Sequence, residues 1–444
     1  MKYLKQAIRK QTADQQETKR VVSDILEDIR QNKEEAVKRY ALHFDDWSDD
    51  IVLPQKAIAA KTSTLPRQII ADLQFAYDQV YGFALEQKKS MRAIETELYP
   101  GIKRGQKHIP CSCAGCYVPG GRYAHAASAI MSIATARAAG VPYVVACSPS
   151  HQGQGIHPVT LAAMSLCKPD LILTLGGVQA IGAMAYGLFT EKPADIIVGP
   201  GNRYVAEAKR ILFGEIGIDV IAGPTESLLI ADHTADPLIV AVDLMSQAEH
   251  GYDSPVWLVT DSEALGEQVL QLMPRVIKNL PEPEVAETAW RDFGEIVLCE
   301  DRQEMAVVSD QYAAEHVQVQ AEDLDWWLDN LINYGSLFLG EAATVAMGDK
   351  ASGTNHILPT GRAARYSGGL NTAKFLKTVT YQRISREASL QLSAVTSRIS
   401  RVEGMEGHAR AADVRLRKYF PDQDFDFEVS TFSENGLSHS GERP

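Results

Sequence analysis

A carboxylate and an imidazole stand side by side in the dipeptide Glu315-His316, which opens the alternating stretch EHVQVQ. Alternation of apolar and polar residues is typical of a strand, so we expect the pair at a strand end. There it could act as a general acid and base, because an imidazole changes charge near neutral pH. Taken alone, the dipeptide is more simply an exposed, polar start of a strand.

Two further stretches carry candidate metal ligands. Gln247 and His250 are three residues apart at the end of an apolar helical stretch, so a helix places them on one face. A histidine there is a candidate metal ligand or base, although an isolated histidine is more often a core residue whose ring nitrogens are hydrogen-bonded. Asp349 lies in the polar loop GDKASGTNH, which follows an expected strand at 336–340, and polar loops at strand ends often carry function. Glu403 and His408 lie in a charged helical tail, where a solvated face is the simpler interpretation.

Three glycine-rich turns, at 118–121, 176–179 and 199–202, follow expected strands or turns. Ligands of open α/β sheets bind beyond the carboxyl ends of strands, where glycine lets backbone N–H groups approach a phosphate. None of the turns has the dinucleotide-binding pattern G-x-G-x-x-G. Each alone is more simply a tight connection between a strand and a helix.

The six cysteines indicate a structural role more than a chemical one. Cys111, Cys113 and Cys116 form a C-x-C-x-x-C pattern that could contribute to a zinc or iron–sulfur site. A tetrahedral site needs a fourth ligand, and the sequence contains no second C-x-x-C. The other three cysteines lie in apolar stretches, as buried thiols usually do.

Short apolar runs alternate with helical stretches from about residue 115 onwards, which predicts an α/β fold with parallel sheets. We expect strands at 143–147, 171–175, 195–198 and 219–222, and a second series at 228–231, 256–260, 296–299 and 336–340. Helices are expected between them, including 126–139 and 180–186. Two α/β modules are therefore predicted, with helical segments at 12–40 and 65–87 before them and a charged helical tail after residue 374.

The composition excludes several classes of protein. The 444 residues include 44 Lys and Arg against 57 Asp and Glu, a net charge of −13, which does not suit a general nucleic-acid binder. Neither an apolar signal segment near the start nor a run of 18 apolar residues is present in the sequence. With few cysteines, these features predict a cytoplasmic protein that binds neither nucleic acid nor membranes.

Read together, these motifs resemble the histidinol dehydrogenase family over residues 15–418. The resemblance rests on long stretches in the family's order: YVPGG, GGVQAIGAMAYG, VGPGNRYVAEAK, AGPTES, SQAEHG, EHVQVQ, GDKASGTNHILPTG and EGMEGHA. Members of this family use zinc and NAD to oxidise a primary alcohol to a carboxylate through an aldehyde, in two hydride transfers.

The resemblance implies a role for particular residues. Zinc would be bound by Gln247, His250, Asp349 and His408, with His408 reaching the site of the partner subunit in an obligatory homodimer. His316 would take the hydroxyl proton, and Glu315 would activate the water that hydrates the aldehyde. Tyr117, Gln179 and Asn202 match positions that contact NAD. Thr225, His356 and Glu403 match positions near the substrate.

The same resemblance implies a domain organisation of two incomplete Rossmann-like modules and a domain-swapped dimer. We expect a helical arm at 1–15, a first module from 16–117 and 228–370, and an NAD-binding module at 118–227. A helical tail at 371–420 would cross to the partner, and 421–444 would be frayed.

Several positions depart from enzymes that oxidise histidinol, which usually carry Pro-Glu where this chain has Thr344-Val345, and Ser where it has Thr225. The segment Arg122–His125 and the stretch ARYSGGL…FLKTVTYQ resemble a branch of the family that oxidises 2,3-dihydroxypropane-1-sulfonate to sulfolactate. Loss of an acidic group and gain of cationic ones suits an anionic alcohol, which Arg122, His125 and Lys350 would bind. Glu403, shared with histidinol enzymes, argues for the alternative substrate, L-histidinol. A non-catalytic zinc-binding member of the family is a more distant alternative.

Overall fold

The structure is a computed structural model that describes residues 1–8, 15–121, 123–221, 223–433 and 436–438. The strands, in chain order, are β1 (Lys2–Lys5), β2 (Ile94–Tyr99), β3 (Ile102–Pro110), β4 (Cys113–Tyr117), β5 (Tyr143–Ser148), β6 (Leu171–Thr174), β7 (Ile196–Val198), β8 (Gly217–Ile218), β9 (Ser227–Ala231), β10 (Val256–Thr260), β11 (Glu295–Leu298), β12 (His316–Gln320), β13 (Ser336–Leu339), β14 (Leu376–Ile384), β15 (Thr431–Ser433) and β16 (Gly436–Ser438).

The helices, in the same order, are α1 (Gln15–Asp45), α2 (Gln55–Thr62), α3 (Arg67–Ser90), α4 (Ala126–Ala139), α5 (Pro158–Leu166), α6 (Gly177–Tyr186), α7 (Arg203–Leu212), α8 (Pro237–Ala248), α9 (Glu263–Lys278), α10 (Pro283–Phe293), α11 (Arg302–Tyr312), α12 (Leu324–Asn330), α13 (Val345–Lys350), α14 (Arg386–Val402) and α15 (Glu406–Tyr419). Two short 3-10 helices span Ala363–Arg365 and Thr372–Phe375. The backbone of α1 leaves the helical conformation at Lys33, where the helix is kinked.

The chain divides into two compact units, Met1–Ser90 with Pro110–Lys377 and Met91–Ile109 with Thr378–Pro444. The first unit contains two sheets. One has five strands in the order β6-β5-β4-β7-β8, all parallel. The other has six, in the order β1-β11-β10-β9-β12-β13, of which only β1 is antiparallel to its neighbour. The predicted α/β class with parallel-sheet cores is therefore confirmed.

Strand β4 lies at the centre of the five-stranded sheet, and all five of its residues are buried. The helix that follows, α4, is rich in small residues and is almost wholly buried. Two of its hydroxyl groups are satisfied within the helix, since Ser132 and Thr135 donate to the carbonyls of Ser128 and Met131. The small side chains therefore let this helix pack closely against its neighbours. The buried hydroxyl groups of these two residues are both hydrogen-bonded.

The expected division of the chain at residue 117 is wrong in two respects. The helices at 15–90 were expected to join residues 228–370, but α1 packs on α6 and α7, and α3 packs on α4, all beside the five-stranded sheet. Ile29 of α1 lies directly over Gly182, where a Cβ would be 3.1 Å from its terminal methyl carbon. Strand β4, within the same expected module, also belongs to the five-stranded sheet.

Three local predictions are also corrected. The arm expected to be helical at 1–15 contains strand β1, which pairs with β11 at Tyr3 and Val297; residues 9–14 lie outside the described residues. In place of the strand expected at 219–222, the structure has the two-residue strand β8 at Gly217–Ile218, and Asp219 just after it has a buried side chain that bonds to Lys209; residue 222 lies outside the described residues. The tail expected to be helical at 371–420 begins with a 3-10 helix and strand β14 before α14 and α15.

The second unit is built from two segments that are distant in sequence. Strands β2 and β3 form an antiparallel pair, and β14 borders β3. Helices α14 and α15 pack against each other, and Arg401 of α14 donates to Asp413 of α15 at 2.7 Å. The end expected to be frayed contains the short pair β15 and β16, while residues 434–435 and 439–444 lie outside the described residues. Across the described parts of both units, helices long and apolar enough to cross a membrane are absent.

Candidate active site and metal centre

The Glu315-His316 pair lies at the amino end of β12, which is flanked by β9 and β13 in the six-stranded sheet. His316 is in register with Ser227 of β9 and Ser336 of β13, which are the first residues of their own strands. Both members of the pair are buried. The pair therefore occupies the edge of the sheet where its parallel strands begin, and it is not the exposed strand start that the dipeptide alone suggests.

The contacts of His316 define which ring nitrogen can exchange a proton. Nδ1 is 3.2 Å from the carbonyl oxygen of Glu226, which can only accept, so Nδ1 carries a hydrogen. Nε2 is buried, lacks a hydrogen-bond partner and lies 3.6 Å from Asp349. The nitrogen that can take up or release a proton is therefore Nε2, on the side of Asp349.

Burial and neighbouring charges perturb both members of the pair. Burial raises the pKa of Glu315 to about 8, and it outweighs the opposing effects of His316 and of the backbone N–H of Glu226. Burial would lower the pKa of His316, but the carboxylates of Glu315 and Asp349 outweigh it and raise that pKa to about 9. Strongly shifted groups that face one another in this way are typical of catalytic sites.

The candidate metal ligands of the first unit converge on the same edge. Helix α8 follows β9 and α13 follows β13, so both helices return towards the edge where the strands begin and end there. Gln247 lies in the last turn of α8 and His250 just beyond it, while Asp349 lies at the end of α13. His250 Nε2 is 3.7 Å from Asp349 Oδ2, although the two residues are 99 apart in sequence.

These donors suit a divalent cation such as zinc. Gln247 is buried and its Oε1 lacks a hydrogen-bond partner, so this amide oxygen could bind a cation. Burial disfavours the charge on Asp349, but the ring of His316, 3.6 Å away, and the other neighbouring imidazoles hold its pKa far below the usual range. An amide oxygen, an imidazole and an ionised carboxylate form a zinc-compatible set. Among the described residues, no group of three His, Cys, Asp or Glu forms a complete cage, so these three side chains supply only part of a ligand set.

The loop after α13 links this edge to α4. His356 Nδ1 is 3.0 Å from the carbonyl oxygen of Asp349, and its Nε2 is 2.8 Å from the hydroxyl of Ser128 in the first turn of α4. Burial lowers the pKa of His356 to about 4. His125, at the N-cap of α4, has its pKa lowered to about 4 by burial and by the charges of Lys350 and His250. His125 and His356 thus lie near the candidate metal centre, whereas Arg122 lies outside the described residues.

The three residues expected to contact NAD lie at the carboxyl edge of the five-stranded sheet. Tyr117 ends β4, Gln179 lies in the first turn of α6, and Asn202 is the N-cap of α7. Their side chains bond to the chain itself. The Tyr117 hydroxyl accepts from Gly177 N at 3.2 Å, Gln179 donates to Asp45 at 3.0 Å, and Asn202 caps α7. The structure thus gives these residues a role in shaping the turns.

Glu403 and His408 belong to the second unit. Glu403 is the C-cap of α14, and His408 lies in the first turn of α15. The guanidinium of Arg401 bonds to Ser397, Asp413, Glu406 and Ser430, which fixes the short connection between the two helices. Glu403 and His408 thus lie at the connection between α14 and α15, which the bonds of Arg401 hold in place.

Two residues beside the Glu315-His316 pair were missed by sequence reasoning. Glu226, next to the expected substrate residue Thr225, donates its backbone N–H to Glu315 at 3.1 Å and accepts from Gly361 at 3.0 Å through its side chain. Asp243 accepts from Gln318, Gln320 and Thr344. Both are acidic residues in or beside otherwise apolar stretches. A charged residue in such a stretch needs a bonding partner when it is buried, and this was the signal that the sequence offered.

All six cysteines are buried and unpaired. Burial raises the pKa of each thiol, which makes the reactive thiolate less accessible. This agrees with the structural role that was favoured for them.

Comparison with known proteins gives a consistent family. The family model described as histidinol dehydrogenase matches residues 8–416. The crystal structure of histidinol dehydrogenase from Elizabethkingia anophelis superposes with a TM-score of 0.87, at 32% identity over 93% of this chain and 94% of that one. The chain therefore belongs to the histidinol dehydrogenase family.

Within the family, the chain is similar to members that are named for different activities. It is 53% identical to the sulfopropanediol 3-dehydrogenase of Ruegeria pomeroyi, over 97% of this chain and 99% of the relative. It is 37% identical to histidinol dehydrogenase 1 of Trichormus variabilis, over 89% and 91%. The identity is thus considerably higher to the sulfonate enzyme than to this histidinol enzyme.

Proposed function

We propose that this protein is a zinc- and NAD-dependent dehydrogenase that oxidises 2,3-dihydroxypropane-1-sulfonate to sulfolactate in two steps, through the aldehyde. The observation that carries the chemistry is the convergence of Gln247, His250 and Asp349 on the Glu315-His316 pair. The 53% identity to a sulfopropanediol 3-dehydrogenase supports the choice of alcohol.

The metal would be held by Gln247, His250 and Asp349, with His408 of a second copy as the fourth ligand in a homodimer with exchanged tails. When bound there, zinc would polarise the carbinol oxygen and stabilise negative charge on it. The negative charge of Asp349 would then be offset, which favours the neutral form of His316. The two parallel-sheet modules would act as incomplete Rossmann-like halves.

In the first step, Nε2 of His316 accepts the hydroxyl proton while hydride passes to NAD. His316 is suited to this because Glu226 holds Nδ1 and leaves Nε2 as the exchanging nitrogen. In the second step, ionised Glu315 takes a proton from the water that adds to the aldehyde. His316 would first release the proton taken from the alcohol to solvent. The hydrate, formed as its anion, would then lose hydride to a second NAD and its remaining hydroxyl proton to His316, leaving the carboxylate.

One cationic group near α4, Lys350, supports an anionic substrate. Lys350 is exposed and close enough to influence His125, His250 and His356 electrostatically. Val345, where histidinol enzymes usually carry Glu, is apolar and buried, so a carboxylate for a cationic amine is absent at that position. We propose that Arg122, His125 and Lys350 bind the sulfonate, with Thr225, His356 and Glu403 near the hydroxyl groups. A cytoplasmic location suits six unpaired thiols.

The test is the number of NADH molecules formed per alcohol consumed by purified, zinc-loaded protein. Each enantiomer of 2,3-dihydroxypropane-1-sulfonate is compared with L-histidinol at equal concentration. We expect two NADH from one sulfonate enantiomer and none from histidinol. Two NADH from histidinol alone would replace the proposed substrate with that amino alcohol, and no NADH from any alcohol would favour a non-catalytic zinc-binding role.

The residues proposed to bind the sulfonate are tested separately. Replacing Arg122 and His125 with Leu is expected to raise KM for the sulfonate while leaving KM for NAD unchanged. Arg302→Leu is the control, because that guanidinium bonds to Asp323 on the surface of the other module. An unchanged KM for the sulfonate in the double variant would remove these two residues from the site.

A further inference from the structure

A buried ion pair lies behind the third glycine-rich turn, and the chemistry proposed above uses neither member. Lys209 of α7 bonds to Asp219, which follows β8, and their side chains are 2% and 0% exposed. Removing two charges from water is costly, and a well-packed apolar pair of similar volume is often at least as stable. The presence of this pair therefore has to be explained by the other groups to which it bonds.

Both members of the pair bond to the backbone of Gly199. The Gly199 N–H donates to Asp219 Oδ2 at 2.7 Å, and Lys209 Nζ donates to the Gly199 carbonyl oxygen at 3.0 Å. Together with the bond between Lys209 and Asp219, these contacts form a closed ring of three hydrogen bonds. One buried glycine thus has both of its backbone polar groups fixed by charged partners, which form stronger hydrogen bonds than neutral ones.

Gly199 is also constrained by its shape. Its φ of +124° lies in the region that favours glycine, and a Cβ at this position would lie 2.0 Å from the carbonyl oxygen of Tyr117. The turn is therefore pressed against the end of β4. Three residues later, Asn202 accepts from the backbone N–H groups of Tyr204 and Val205. The two ends of the turn are held independently, one by the ion pair and the other by the helix.

We propose that Lys209 and Asp219 are positioning residues for the cofactor, because they fix the turn from Gly199 to Asn202 against Tyr117. This inference rests on the proposed binding of NAD at these turns. The pair does not touch the cofactor in this proposal. The pair supplies the acceptor for the N–H and the donor for the carbonyl of Gly199, and an apolar pair at these positions would leave both groups unsatisfied.

The experiment measures NAD affinity by calorimetry on the full-length, zinc-loaded protein, together with kcat, KM for NAD and the thermal midpoint. Lys209→Met removes the donor to Gly199 and leaves Asp219 uncompensated, so we expect a lower thermal midpoint. We also expect NAD to bind roughly tenfold more weakly, or worse, with kcat at saturating NAD within about twofold of the original.

The double variant Lys209→Met with Asp219→Asn separates positioning from stability. It removes the stranded charge while its amide oxygen can still accept from Gly199 N–H, so we expect the thermal midpoint to recover in part. The Gly199 carbonyl still lacks its donor, so the affinity for NAD should stay low. Arg210→Met is the matched control, since it removes a neighbouring charge on α7 that pairs only at the surface, and it should change neither quantity.

The outcomes distinguish this inference from the proposed function. If the unaltered protein does not bind NAD, the proposed function fails. If it binds NAD and the Lys209→Met protein binds equally well, the positioning role is overturned. Recovery of NAD affinity in parallel with the thermal midpoint in the double variant would also overturn it, because the pair would then act on stability alone.

Discussion

The two sheets of the first unit carry their candidate functional residues at opposite edges. In the five-stranded sheet, Tyr117, Gln179 and Asn202 lie where the strands end and helices begin. In the six-stranded sheet, Glu315 and His316 lie where a strand begins, beside the ends of α8 and α13. Ligands of open α/β sheets usually bind at the carboxyl edge, and of these two sheets only the five-stranded one follows that rule.

The difference has an electrostatic meaning. The N-terminus of a helix carries a partial positive charge and suits anions, whereas the C-terminus carries a partial negative charge and suits cations. A dinucleotide is an anion and zinc is a cation, so each edge offers the helix ends that match its proposed ligand. Placing the two ligands at opposite kinds of edge thus lets one fold serve both.

If the two edges have separate tasks, a change at the amino edge should affect turnover without affecting cofactor binding. His316→Asn retains a donor for the Glu226 carbonyl but removes Nε2, so we expect kcat to fall by roughly 10²- to 10⁴-fold. The dissociation constant of NAD, measured by titration, should not change. His43→Asn, at an exposed end of α1, is the control. An equal loss of NAD affinity in His316→Asn would break the comparison.

A second change tests what aligns the amino edge. Asp243 bonds to Gln318 and Gln320 of β12 and to Thr344, the N-cap of α13, so one carboxylate ties together the three elements that bear the candidate ligands and His316. In Asp243→Asn, one carboxylate oxygen becomes an amide N–H₂, which cannot accept the hydrogen bonds that Gln318, Gln320 and Thr344 donate. We expect zinc affinity, measured by competition with a chelator, to fall by roughly tenfold or more.

The control for this change is Asp310→Asn. Asp310 of α11 accepts from the backbone of Ile332 and Asn333 beside the same sheet, so its loss should lower stability without changing zinc affinity. If both variants lost zinc equally, the effect would be one of general stability.

A smaller change tests the carboxyl edge. Asn202→Ala removes the cap of α7, and a lost N-cap typically costs about 1 kcal/mol. We expect KM for NAD to rise a few-fold while kcat stays the same, the reverse of the result for His316. Asp236→Ala is the control, because it removes the corresponding cap of α8. This cap lies at the carboxyl edge of the six-stranded sheet, away from the Glu315-His316 pair, so KM for NAD should not change. An effect of Asn202→Ala on kcat alone would contradict the division of tasks.

The smallest expected effect concerns Asp45, whose carboxylate accepts from Gly176 and Gln179 at the carboxyl edge. Burial raises the pKa of Asp45 in spite of these bonds. A raised carboxyl pKa favours the folded state at low pH, and that stability is lost as pH rises through the folded pKa. Asp45→Asn should therefore unfold at an equal or slightly higher temperature than the original at pH 7, and this advantage should vanish near pH 4. A larger advantage at pH 4 would contradict the sign of the shift.

Much of the fold was accessible from local pattern. The apolar run at 256–260 is strand β10, and the small-residue stretch at 126–139 is helix α4, because buried parallel strands and closely packed helices leave clear signals in composition. The placement of 1–5 and 15–90 was not accessible in this way. Lys2–Lys5 is a strand only because β11 provides a partner almost three hundred residues away, and α1 belongs with α6 because Gly182 leaves room for Ile29.

The site was accessible only in part for a similar reason. Motifs identified Glu315, His316, Gln247, His250 and Asp349, which the structure brings to one edge. The contacts of Glu226 and Asp243 depend on which strands are neighbours, and a single sequence does not contain that information. The helical tail was misjudged where strand pairing, rather than local propensity, determines the structure, since 376–384 is strand β14.

The pairing of β1 with β11 has a consequence for how the protein is made. About 290 residues separate the two strands. At usual rates of translation, β1 waits roughly 15 to 60 seconds before β11 emerges from the ribosome. The five-stranded sheet, from β4 to β8, is synthesised in full during that interval. The five-stranded sheet can therefore assemble early, while β1, which belongs to the six-stranded sheet, stays without its partner strand until β11 has been synthesised.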